Sequence, residues 1–290
     1  MVRRLVDDET PTRTLPAGGT YYDGLSAPGA RAWIGEPDED FYGGATPEQI
    51  VGPESYSGPI GSDPSTWLTD PLASAEQERA YRFLLADGRD PAPVVQVGGH
   101  GGTLISWVAG GGFEGVLVSP FESELAACWE LAGRAGVRDR VTLVRAPAEQ
   151  MPLVDGVVGS IIMAGVLHHT SASDALAESV RCLRGGGRFV SWDIHDSAGY
   201  RAGIRLFGKQ EAIECVPLDP RRIGDVTALG DVTIELSGAL TRYLFAAARR
   251  LGLPTPKKLM RALAVIDRAV ARSVLGRFLV SMVSIHIEKP

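Results

Sequence analysis

Val94-Val95-Gln96-Val97-Gly98-Gly99-His100-Gly101-Gly102 is the stretch on which the fold of this chain turns. Three valines in four residues, with no apolar–polar alternation, predict a strand buried on both faces. The glycines stop the strand in a tight turn, and residues 103–109 then read as a helix. A Gly-rich turn between strand and helix lets the backbone approach a ligand closely and aims N–H groups at it. No Lys-Ser/Thr pair follows, which excludes a triphosphate-cradling P-loop, and the spacing is not the GxGxxG of a dinucleotide site.

Outward from this point the same alternation continues. Val116–Val118 reads as a strand before a helix over 121–135, and Val141–Val144 as another strand. Ser160–Ala164 reads as a strand before a helix near 173–184, and Arg188–Asp193 as a strand after the turn Gly185-Gly186-Gly187. Strands alternating with helices predict an α/β, doubly wound, mostly parallel sheet with right-handed crossovers. Upstream, Ser74-Ala75-Glu76-Gln77 is a capping box. It opens a helix over 74–86 that carries Ala80, Phe83 and Leu84 and ends at Asp87-Gly88.

Residues 1–73 are rich in turn chemistry and read as an irregular arm or lid. Their aromatics (Tyr21, Tyr22, Trp33, Phe41, Tyr42, Tyr56, Trp67) favour an arm packed on the body. The core then spans 74–237, with a strand over 231–236. A helical cap insertion spans 238–277, two helices broken at Leu253-Pro254-Thr255-Pro256, and a final strand runs from Phe278 to Glu288. The insertion carries Arg242, Arg249, Arg250, Lys257, Lys258, Arg261, Arg268 and Arg272. It reads first as a solvated helical face, and alternatively as a cap that gathers an anionic or lipid-like substrate.

Composition sets the outer bounds. At 290 residues, 44% hydrophobic and 22% charged, the chain has the make-up of a globular protein able to bury a sizeable core. Its net charge of −6 argues against a general nucleic-acid binder. No apolar run approaches the ~20 residues of a membrane span. The start, Met1-Val2-Arg3-Arg4, lacks the apolar core of a secretory signal, so a cytoplasmic location is expected. Cys128, Cys182 and Cys215 are too far apart for a CxxC metal knuckle and suit a reducing compartment.

Four of the five histidines fall just after predicted strands: His100, the pair His168 and His169, and His195 beside Asp193 and Asp196. They thus gather on the carboxyl edge of the sheet, where open α/β folds bind ligands. Imidazole titrates near neutrality and is the commonest general acid/base. His168, His169, His195 and Asp193 have the ligand types of a metal site, but adjacent loop histidines rarely share one ion, so no metal is assigned. Cys128, Cys182, Trp107 and Trp129 read as packing residues.

The order of the segments carries a resemblance. Val94–Gly102, then Gly115-Val116-Leu117-Val118-Ser119-Pro120, then Val144-Arg145-Ala146-Pro147-Ala148-Glu149-Gln150-Met151-Pro152 resemble class I S-adenosylmethionine-dependent methyltransferases. Ile161–His169 and Val180–Phe189 extend it, and the likeness is to the ubiquinone/menaquinone-type small-molecule branch. The resemblance implies a seven-stranded Rossmann-like sheet with its last strand antiparallel. It places S-adenosylmethionine over Gly98, Gly99, His100, Gly101, Gly102, Ser119, Pro120, Pro147, Ala148 and Ala164, with a small-molecule acceptor near His168, His169 and His195.

The departures concern the polar handles. Gln96, Ser119, Pro147 and Gly159 stand where the family carries acids, and His100 stands where it carries the middle glycine. An acid accepting ribose hydroxyls contributes about 1.5–3 kcal/mol, so each loss weakens cofactor binding about tenfold or more. The expected activity is methyl transfer from S-adenosylmethionine to a small molecule. The alternative is a relative that has lost methyl transfer and runs a cyclisation, isomerisation or elimination on histidine acid/base chemistry. A non-catalytic binding subunit is the third reading, against which the clustered histidines count. Neither a nucleic-acid partner nor a membrane span is expected.

Overall fold

A computed structural model describes residues 5–31, 45–51, 79–207, 216–253 and 257–290. Among these, nine strands form one sheet: β1 (Thr12–Thr14), β2 (Thr20–Asp23), β3 (Val94–Val97), β4 (Gly115–Ser119), β5 (Val141–Arg145), β6 (Val158–Ala164), β7 (Leu183–Ile194), β8 (Asp231–Ser237) and β9 (Met282–Glu288). Their spatial order is β1-β2-β5-β4-β3-β6-β7-β9-β8. Pairing is parallel from β2 through to β7 and antiparallel at β1–β2, β7–β9 and β8–β9. The chain winds from β3 to β5 on one side and from β3 through β6 to β7 on the other. The switch point, where such sheets leave a crevice, therefore lies at the carboxyl end of β3.

The helices are α1 (Pro47–Val51), α2 (79–84), α3 (Gly102–Gly111), α4 (Glu122–Ala135), α5 (Ala172–Cys182), α6 (Ala198–Phe207), α7 (Pro220–Ile223), α8 (Thr241–Arg250), α9 (Lys257–Ala271) and α10 (Val274–Leu279). Neighbouring valines of β3 enter opposite layers: Val94 packs with Leu104, Trp107 and Leu125 of α3 and α4, Val95 with Leu176 of α5. Both faces are covered, which is why the central strands carry no polar alternation. Among the described residues no helix is long and apolar enough to cross a membrane.

The sheet has nine strands where seven were expected, because the arm is not irregular throughout. Residues 12–23 form a hairpin whose second strand pairs in parallel with β5, Tyr22 opposite Val144. Three- and four-residue strands are too short to show a period, so the sequence signal was absent. Tyr21 and Leu15, each 2% exposed, seal the apolar layer at this edge.

Three further expectations change. Gly185–Gly187 lies inside β7, not in a turn before it: Val158 pairs with Leu183 and Ser160 with Arg188, so the glycines bulge out of register. The helix expected to run to 184 ends at Cys182. The final strand begins at Met282 rather than Phe278, because Ser273 accepts the Gly276 N–H and caps a third insertion helix, α10. The capping box at Ser74–Gln77, Trp33, Phe41, Tyr42, Tyr56, Trp67, Cys215 and the Pro254–Pro256 break lie outside the described residues.

One buried acid ties the insertion together. Asp267 of α9, 1% exposed, accepts the backbone N–H groups of Gly238, Ala239, Leu240 and Thr241 and the Thr241 hydroxyl, at 2.6–3.2 Å. It thereby caps α8 from a neighbouring helix and offsets the positive end of its dipole.

Candidate active site

The turn after β3 is built on three left-handed glycines, Gly98, Gly99 and Gly101, at φ of 70°, 69° and 80°. At two of them space forbids a side chain as well. A Cβ on Gly98 would lie 2.6 Å from Val166 Cγ2, and one on Gly101 2.5 Å from Cys128 Sγ. His100 occupies the tip, half-buried, where loss of water pushes its pKa down and favours the neutral ring.

Gln96 explains why this turn tolerates the loss of the family's acid. Its Nε2 donates to the Gly98 carbonyl at 2.9 Å and its Oε1 accepts the Leu104 N–H at 2.8 Å. One buried amide thus holds both ends of the turn and caps α3. A carboxylate has no proton for the carbonyl, so the amide is the better strap.

The turn at the end of β4 is committed differently from expectation. Ser119 is fully buried; its hydroxyl donates to Glu124 at 2.6 Å and accepts the Phe121 N–H at 3.0 Å. The helix starts at Glu122 behind Phe121, so Glu124 sits at the third helical position and closes a capping box relayed through Ser119. Glu124 was not singled out from the sequence; its neighbour Glu122 accepts the Tyr21 hydroxyl at 3.3 Å. Counting from Phe121 as the cap would have found it.

Pro120 is held by its carbonyl, which accepts Arg145 Nε at 3.2 Å. Pro147 and Ala148 are buried, and Pro147 also lines a cavity of about 350 Å³ against the arm, opposite Gly24 and Pro28. Residues 5–31 run along this flank: Val6 bridges Leu153, and the Arg31 N–H donates to Gln150. Gly159 touches the strap before β3, where a Cβ would meet the Pro91 and Ala92 carbonyl oxygens at 2.5 Å. An aspartate has no room there. Ala164 ends β6, half-buried beside the exposed Gly165.

The fold does bring the predicted histidines to the carboxyl edge, but in two environments. His168 is 5% exposed; its Nδ1 donates to Asp193 Oδ1 at 2.5 Å, and its backbone N–H donates to Oδ2 at 3.3 Å. Asp193 was expected beside His195; the pleat turns it to the neighbouring strand end instead. The His169 ring, half-buried, lies 3.8 Å from that of His168, centroid to centroid. Across the site, His195 Nδ1 donates to the Leu218 carbonyl at 3.0 Å. Since a carbonyl only accepts, the Nδ1–H tautomer is fixed and the Nε2 lone pair stays available. Burial pushes the His195 pKa down, so the ring is neutral at pH 7. The partner residue Leu218 left no mark in the sequence. The fifth histidine, His286, stacks on Phe83 at 4.8 Å within the sheet and away from this edge.

By residue type, two of the three points suit S-adenosylmethionine: a turn of left-handed glycines, and the apolar pair Pro147-Ala148, which is buried. At the ribose position both the hydroxyl and the acid exist, but they face each other.

Residues 95–191 match the family model described as a methyltransferase domain. The fold is that of the Rossmann-like methyltransferases. The chain is similar to geranyl diphosphate C-methyltransferase from Streptomyces coelicolor A3(2), crystallised with Mg2+, geranyl diphosphate and S-adenosyl-L-homocysteine. That match has a TM-score of 0.56 at 17% identity and covers 87% of this chain and 98% of that one. It is also similar to phosphoethanolamine N-methyltransferase 2 of Haemonchus contortus in complex with S-adenosyl-L-methionine, with a TM-score of 0.53 at 14% identity, over 88% of this chain and 60% of that one. A third likeness is to the [4+2]-cyclase SpnF, with a TM-score of 0.51 at 16% identity, over 81% and 87% of the two chains. At such identities the likeness is one of fold. No curated protein matches the chain.

Proposed function

We propose that this chain is a small-molecule methyltransferase that takes S-adenosylmethionine over the Gly98–Gly102 turn and uses His195 as general base. The observation that carries the proposal is the fixed tautomer of His195 on the same sheet edge as the glycine cradle. When bound, the cofactor supplies an electrophilic methyl group. Gly98, Gly99, His100, Gly101 and Gly102 would hold its amino-acid end and Pro147 and Ala148 its adenine, with Ala164 beneath the reacting carbon. The ribose would lie at the Ser119-Pro120 turn without a bond from the Ser119 hydroxyl, which Glu124 engages. His195 Nε2 accepts the proton of the acceptor's oxygen or nitrogen. His168, pinned by Asp193, positions the 167–169 turn and, with it, His169 against the acceptor. The acceptor would be a small, secondary-metabolite-like molecule, as the resemblance to the ubiquinone/menaquinone-type branch suggests, and the location cytoplasmic.

Titration calorimetry with S-adenosylmethionine and S-adenosylhomocysteine tests the reading. Binding in the micromolar range is expected; none at millimolar ligand overturns it. One observation favours a second reading, SAM-independent cyclisation, isomerisation or elimination: the Ser119 hydroxyl and Glu124 carboxylate close on each other rather than facing a ribose. Likeness to a cyclase of the same fold supports that alternative. Turnover that persists after bound cofactor is stripped would select it.

A further inference from the structure

Charge is distributed unevenly along this acidic chain. Residues 238–279 hold nine Lys and Arg against the single Asp267, a formal +8, so the remainder carries −14 within a total of −6. Asp267 does not offset the basic surface, because it is buried on the amides of residues 238–241. Among the described residues, eight of the twelve exposed large apolar side chains also lie in this segment. Val274 is 79% exposed, Leu275 70% and Phe278 59%, with exposed Arg272 and Arg277 interleaved.

The helices bearing these residues form a connected layer. Gly199 of α6 packs on Leu279 and Tyr243, and the Tyr243 hydroxyl donates to the Leu279 carbonyl at 2.8 Å. α6 leaves the sheet after β7, α8 after β8, and α10 leads into β9, all at the carboxyl edge. The layer thus stands over the edge that carries the glycine turn and His195.

Helices that combine exposed leucine, valine and phenylalanine with Arg and Lys have the composition of helices that lie in a lipid headgroup region. The apolar side chains enter the acyl boundary while the basic ones meet anionic headgroups. We propose that the exposed side chains of residues 238–253 and 262–279 form a docking surface for an anionic lipid bilayer. A second copy of the chain is the poorer occupant, because two faces that both expose Arg250, Arg272 and Arg277 repel when brought together. A nucleic acid would match the charge but leave the exposed apolar side chains without a partner. The inference stands apart from the methyl-transfer reading, since lipid binding is read without turnover.

Co-sedimentation of the full chain with vesicles is the test. Vesicles of phosphatidylcholine mixed with phosphatidylglycerol are expected to carry the protein down, and phosphatidylcholine alone to leave it in solution. Arg272→Gln with Arg277→Gln should weaken the partition by about fivefold per arginine. Leu275→Ser with Phe278→Ser should weaken it by about tenfold or more. All four side chains are exposed, and an unchanged Tm reports that each variant still folds. Absence of binding to anionic vesicles overturns the proposal. So does binding that the arginine pair abolishes and the apolar pair leaves intact, the signature of a patch for any polyanion. A dimer that dissociates in the apolar variant, with no vesicle binding, assigns the surface to self-association instead.

Discussion

His195 shows how much one backbone carbonyl decides. Its neighbours in sequence, Asp193 and Asp196, suggest a carboxylate partner, yet the imidazole donates to Leu218, 23 residues away. A neutral ring with a free Nε2 is the result. His195→Ala is expected to lower turnover by about 10²–10⁴-fold. The pH profile carries the sign: the base works when deprotonated and its pKa lies below the usual 6.5. Wild-type kcat/KM therefore falls only on acidification below that value, and the variant loses this limb; a profile that keeps it would remove His195 from the chemistry. Ser119 supplies a second test. Ser119→Asp alone sets two carboxylates together and should destabilise the fold. Ser119→Asp with Glu124→Gln relieves the repulsion and should tighten S-adenosylmethionine binding about tenfold, measured by calorimetry. The residue types of the candidate site were legible in the sequence, since glycines after a strand and histidines after neighbouring strands announce themselves. Their partners were not: Glu124, Leu218 and the Asp193–His168 pairing depend on where a helix starts and which way a strand end faces.

At the scale of elements, tight packing and remote caps carry the stability. Gly101→Ala drives a methyl group into Cys128 Sγ at a left-handed position. A loss of about 2–4 kcal/mol is expected from chemical denaturation. Adding Cys128→Ala should return only part of it, because the clash is relieved while the backbone strain persists; full additivity would show that the two sites do not touch. Burial also pushes the Cys128 thiol well above its usual pKa, so it should resist alkylation in the folded state. Asp267→Ala leaves four backbone donors without their acceptor and should cost about 2–4 kcal/mol, read as a lowered urea midpoint, with Asp267→Asn recovering part. Strand and helix order over 94–194 was readable from valine-rich runs and glycine punctuation. The bulge at Gly185–Gly187 was not, because three glycines read alike as a turn or as a slip in register.

Across the whole molecule the sheet is lengthened at one edge by the arm and capped at its carboxyl end by the helical insertion. Removing residues 1–31 should uncover the β5 edge together with Leu143 and neighbouring apolar surface. The shortened chain is expected to self-associate, seen as a rise in light scattering at a concentration where the full chain stays monodisperse; an unchanged scattering profile would show that the arm is dispensable for solubility. Sequence alone determined the class of fold, since side chains with water excluded from both faces must be largely apolar on both, and five such segments alternating with helices over 94–193 admit few arrangements. It also determined the sheet edge that carries the polar groups, because that edge follows from strand direction. Only the tertiary structure decided that the arm adds two strands and that Ser119 turns inward. It alone also decided that His168 and His195 have different partners. Each of these depends on contacts between residues far apart in the chain, and hydrogen bonds made across such distances leave no period in the sequence.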